Sequence, residues 1–228
     1  TRRLMLFVAV VLAVGLVRAG NGLAQGAAGE NQAKGQAKNE VLLSASSPFE
    51  DLTEFAIAGD KRGIERAIRA YDAQAPKVEA ELPAGKRDEL RGLVADIRMA
   101  GRKGDYREIA LKSPDAYRIL VEALDRGSLK VPVEVSLLDY AGFKFQGLLH
   151  AKPTDWQALG KVAEEAAKDW GSVRAGVADA GLRDTVDVAI GGMKRACVSK
   201  DAEMALFAAQ VDLALVDLLE GYFEKVGR

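Results

Sequence analysis

Residues 132–150, PVEVSLLDYAGFKFQGLLH, decide how the rest of the chain is read. At about 100° per residue, Val133, Leu137, Tyr140, Lys144 and Leu148 fall on one narrow helical stripe. Leu138, Phe145 and Leu149 form a second apolar stripe, roughly a third of a turn away. Only the strip through Asp139, Gln146 and His150 is polar. A helix apolar around most of its circumference belongs in the middle of a fold, with neighbours on both sides.

Downstream of it, three further helices are expected. Thr154-Asp155-Trp156-Gln157 reads as a capping box opening a helix whose face carries Leu159, Ala163, Ala166, Trp170, Val173 and Val177 as far as Gly181. Leu182, Val186, Ile190, Met193 and Cys197 form the face of the next. The last runs from about Asp201 to Val226, with Glu203, Gln210, Asp217 and Glu224 outward. No stretch is read as a strand. The fold class is therefore all-α, with an antiparallel four-helix bundle over 132–228.

Upstream, 47–131 reads as a set of shorter helices. One starts at a capping box, Ser47-Pro48-Phe49-Glu50, and another at Asp60, broken near Pro76. A third carries Leu90, Leu93, Val94 and Ile97, a short fourth covers Asp105 to Leu111, and Ser113-Pro114 opens a fifth. Residues 25–46, rich in Gly, Ala, Gln, Asn, Lys and Ser without an apolar period, read as a disordered linker. Residues 1–24 read as an export signal: Arg2 and Arg3, an apolar run from Leu4 to Val17, and a small-residue site at Gly22-Leu23-Ala24. That run is short for a membrane span, so no stable anchor is expected after cleavage, and the mature chain belongs to the periplasm or the exterior.

Charge and motifs exclude several classes. The 32 Lys and Arg balance 33 Asp and Glu, and residues 1–24 hold three of the Arg and no acid, leaving a net charge of −4 without them. That argues against a nucleic-acid surface, which needs clustered positive charge. Cys197 is the single cysteine, so no internal disulfide forms, although it offers an intermolecular one. Haem-attachment, paired-Cys zinc, His-Glu-x-x-His, phosphate-loop and nucleophile-elbow motifs are missing, and no cofactor is implied.

The candidate residues are few. Asp212 shares its helical face with Ala205, Ala208, Leu215, Val216 and Leu219, and so points inward. A buried carboxylate needs a partner, and Lys144 is the cation on an opposing apolar face. The reading is a buried Lys144–Asp212 ion pair with the Tyr140 hydroxyl one turn away. It serves as a register-fixing bridge, as a pocket for a small polar ligand, or as a catalytic lysine. Met193, Cys197 and Met204 offer soft sulfur ligands for monovalent copper, though such residues also fill cores. His150, helped by Asp139 and Gln146, is a further metal candidate, and the helix dipole accounts for it equally well. The sequence thus points to an exported, non-enzymatic binding or accessory module for a small polar ligand or a protein partner. Metal handling is the alternative and an enzyme the third reading; oligomeric state is left open.

Overall fold

The computed structural model describes residues 24–226, so the expected export signal lies outside the described residues but for Ala24. Their regular structure is entirely helical: α1 (Ala24–Ala58), α2 (Lys61–Asp72), α3 (Ala75–Glu81), α4 (Ala84–Lys103), α5 (Tyr106–Glu122), α6 (Val133–His150), α7 (Trp156–Val173), α8 (Ala180–Ser199) and α9 (Ala202–Val226), joined by short turns. Asp60, Asp105, Asp155 and Asp179 cap α2, α5, α7 and α8, each accepting from backbone N–H groups of the first turn. Gly59 and Gly104 take positive φ at the ends of α1 and α4, the backbone state that glycine enters at least cost.

Two apolar cores form, and α6 divides them. Val133, Leu137 and Tyr140 join the first, built with α1 to α5; Val135, Leu138, Ala141, Phe145, Leu148 and Leu149 join the second, built with α7 to α9. The expected central helix with neighbours on both sides is thus what forms. In the second half α6 packs on α7 and α9, and α8 packs on both of these, closing a ring of contacts.

Two expectations in the first half are corrected. Residues 25–46 are not a disordered linker but most of α1, which continues past Ser47 without a new start. Its buried face runs through Gly35, Asn39, Leu42, Ala45, Ser46, Phe49, Leu52 and Ala56, spaced for a helix yet polar or small at half its upstream positions. A side chain at Gly35 would collide with Asp125 and Ser128, so the missing Cβ lets α1 lie against the 3-10 turn at Arg126–Ser128. Asn39 then clamps that turn: its Nδ2 donates to the Asp125 carbonyl at 2.9 Å, and its Oδ1 accepts from the Asp125 N–H at 2.7 Å.

Prolines 48 and 114 do not open helices either; both sit inside one. A proline within a helix orphans the carbonyl four residues back. For Pro48 that is Ser44, whose carbonyl accepts from Gln74 Nε2 at 3.4 Å. For Pro114 it is Ala110, whose carbonyl oxygen faces Gly147 of α6 so closely that a Cβ there would lie 2.2 Å from it.

Candidate functional site

The expected Lys144–Asp212 pair does not form. Lys144 Nζ donates to Asp115 Oδ2 at 2.6 Å and to the Leu111 carbonyl at 2.8 Å, both on α5. Lys144 therefore anchors on the α5 side of α6, whereas Asp212 lies on α9, across the helix. Tyr140 also turns to α5: its hydroxyl accepts from Arg118 Nη1 at 3.4 Å, and the guanidinium stacks 4.9 Å from its ring centre. Burial, reinforced by the charge of Asp115, pushes the Tyr140 hydroxyl up to about 12. Arg118 further binds Glu122 and Glu165, both at 2.7 Å, and so ties α5 to α7 over the edge of α6. Beside it, burial first and then Glu134 push the Asp169 carboxyl up to about 6.

Asp212 faces a second acid instead. It is 1% exposed, its Oδ2 has no hydrogen-bond partner, and that oxygen would lie 3.2 Å from a Cβ at Gly142. Burial, and after it the nearby Asp139 charge, holds the Asp212 carboxyl well above the usual range. Asp139, read from the sequence as part of the polar strip, is buried, and its Oδ2 accepts from the Tyr117 hydroxyl at 3.5 Å. Tyr117 is itself pushed up by burial and then by Asp139. Asp212 thus faces an acid and a tyrosine, not the ammonium group expected there.

The sulfur and imidazole candidates are placed apart in character. Met193 is fully buried in the second core, and Cys197 packs at its edge. Burial raises the Cys197 thiol, which disfavours the thiolate that a metal would need. Met204 is exposed on α9, and His150 is exposed at the C-terminal end of α6, where the helix dipole accommodates it. Among the described residues, no group of three or more His, Cys, Asp and Glu side chains could hold a metal ion.

The outer face of α9 carries the feature that the sequence reading missed. Met204, Phe207, Val211, Ala214 and Leu218 follow one another at alternating three- and four-residue steps, with Phe207 68% and Leu218 60% exposed. Beside them runs a parallel exposed row, Glu203, Gln210, Asp217 and Glu224. The adjoining side of α9, through Ala205, Ala208, Asp212, Leu215 and Leu219, is buried. The apolar row's three- and four-residue steps keep it on one side of the helix, apart from the buried side, which was the available signal. The whole helix is so apolar that one buried face absorbed the attention.

Compared with protein-family models, with characterised proteins and with solved structures, the chain matches none.

Proposed function

We propose that this chain is an exported, non-enzymatic accessory module that docks an amphipathic helix of a partner protein along the outer face of α9. The observation that carries this is the outer row Met204, Phe207, Val211, Ala214 and Leu218, exposed at every position but Val211, which packs half-buried against the second core. Met204, Phe207 and Leu218, large side chains exposed along one side of the helix, supply the anchors that helix docking uses. Their row spans about 21 Å at the helical rise, the reach of a four-turn partner.

The adjoining Glu203, Asp217 and Glu224 define the partner's charge. A second copy docked antiparallel would set these acids against their own counterparts. Docked parallel, it would meet them with Ala208 and Leu215, which are buried and offer no charge. A partner helix with an apolar stripe and a basic flank satisfies both rows. The export part of this reading rests on the charged and apolar pattern of residues 1–24. No helix among the described residues is long and apolar enough to cross a membrane.

The test uses a labelled amphipathic Leu/Lys helix of about five turns, titrated with the full chain in fluorescence anisotropy. Wild type is expected to bind, more weakly as salt rises, and the double variant Phe207→Glu, Leu218→Glu to lose about tenfold or more in affinity. Equal affinity of the two proteins overturns the reading. So does a wild-type dimer in sedimentation that the double variant abolishes, since the face would then serve a second copy.

A further inference from the structure

Away from α9, the first half of the molecule holds a groove of about 640 Å³ between α2 and α4. Its lining follows helical spacing on both walls. Lys61, Ile64, Glu65, Ile68 and Arg69 are one face of α2, and Arg98, Gly101 and Arg102 one face of α4; Tyr106 closes the end. Ile64 is buried and Ile68 half-buried, so the floor is apolar, while Lys61, Arg69 and Arg102 stand exposed on the rim.

The charge on this rim is unspent. Arg98 is held by Asp72. Lys61, Arg69 and Arg102 have no acidic partner among the described residues, and Glu65 is the one acid in the lining. With Arg98 neutralised by Asp72 and Glu65 offsetting one of the three, the lining keeps a net positive charge around one concavity. Cations scattered over a solvated helix face need no apolar floor beneath them, and an apolar contact between two helices needs no cationic rim. Their combination in one concave site focuses positive potential over a greasy surface.

Gly101 completes the floor. A Cβ at this position would meet Ile68 Cδ1 at 3.6 Å, with Ile64 and Ile109 at 3.9 Å, so a side chain fits there without strain. Its absence leaves α4 open at the centre of the groove, where any residue larger than alanine would occupy the ligand's space.

From this geometry we infer that the α2–α4 groove binds a small anionic amphiphile, an apolar body bearing a carboxylate or phosphate head. The body lies on Ile64, Ile68 and Gly101. The head takes the charge-assisted hydrogen bonds of Arg69 and Arg102, while Lys61, about 12 Å from Arg69 along α2, adds longer-range attraction. This site shares no residue with α9, and its existence does not depend on partner docking there.

The experiment is calorimetric titration of the full chain with dodecanoate below its micelle concentration, with dodecyltrimethylammonium as the cationic counterpart. Dodecanoate is expected to bind one per chain and the cation not to bind. Two variants address the two halves of the site: Arg69→Glu with Arg102→Glu reverses the rim, and Gly101→Leu fills the floor with every charge retained. Each is expected to weaken dodecanoate binding about tenfold or more. Equal binding of the cation, or affinity unchanged in both variants, overturns the inference. A third arm separates the source of the head group. If the chain sediments with phosphatidylglycerol vesicles through Arg69 and Arg102 but leaves dodecanoate unbound, the groove reads a membrane surface, and the free-ligand site is wrong.

Discussion

Asp212 carries a carboxyl group in a place where charge is costly, and its energetic consequence depends on which group faces it. With Lys144 opposite, replacement by asparagine would orphan an ammonium group. With Asp139 opposite, the same replacement removes a liability. The folded-state pKa of Asp212 is raised. Above the ordinary carboxylate range, therefore, the folded chain holds a proton that the unfolded chain has released, and stability falls as pH rises towards the raised value. Asp212→Asn cannot lose that stability. It is expected to exceed wild type in urea unfolding at pH 8, by about 1–3 kcal/mol, the cost of an unsatisfied buried polar group, with a smaller gap at pH 5. A variant less stable than wild type at both pH values would show that the Asp212 carboxylate is needed. From the sequence, the inward direction of Asp212 was legible from helical periodicity. Its partner was not, because a periodic stripe says which residues share a face but not which helix that face meets. Lys144 and Asp139 sit five residues apart on α6, and their angular separation of about 140° sends one to Asp115 of α5 and the other to Tyr117 and to Asp212 of α9.

Between elements, close approach is governed by what is missing. The α5–α6 crossing depends on Gly147 meeting the carbonyl that Pro114 frees at Ala110. Gly147→Ala would gain about 1 kcal/mol of helix propensity in isolation, yet it thrusts a methyl group into backbone that cannot rotate aside. Overpacking of this kind costs about 1–3 kcal/mol, so a net loss of stability is expected in thermal or urea unfolding. Gly160→Ala and Gly171→Ala on α7, where a Cβ meets open space, are expected to gain instead. Stabilisation by Gly147→Ala would mean that the two helices do not cross so closely. The same economy explains why α1 was illegible. Its upstream half buries Gly35, Asn39, Ala45 and Ser46 around a single large apolar residue, Leu42, so composition resembled a solvated linker while the spacing was helical. The caps on α2 and α5, by contrast, were readable, because an aspartate bonding the first-turn amides is local chemistry; α7 is capped by Asp155 and not by the Thr154 of the expected capping box.

Across the molecule, α6 is shared by both cores and transmits the state of one to the other. Trp156 and Trp170 lie in or against the second core, while helicity is spread over the entire described chain. Urea unfolding followed by tryptophan fluorescence and by far-UV circular dichroism is expected to give coincident transitions. Phe145→Ala, in the second core, is expected to shift both by about 3–5 kcal/mol. A tryptophan transition that separates from the helical one would mean that the halves melt independently. The all-α class, the central place of α6 and the sequence of helices after it follow from local periods and caps, which act over a few residues and are written in the chain. The continuation of α1 through 25–46, the partners of Lys144 and Asp212, the exposed row on α9 and the cationic groove between α2 and α4 arise from contacts between residues far apart in sequence. Which face of a helix is covered depends on where its neighbours come to rest, and that is set by the packing of all nine elements together rather than by any one of them.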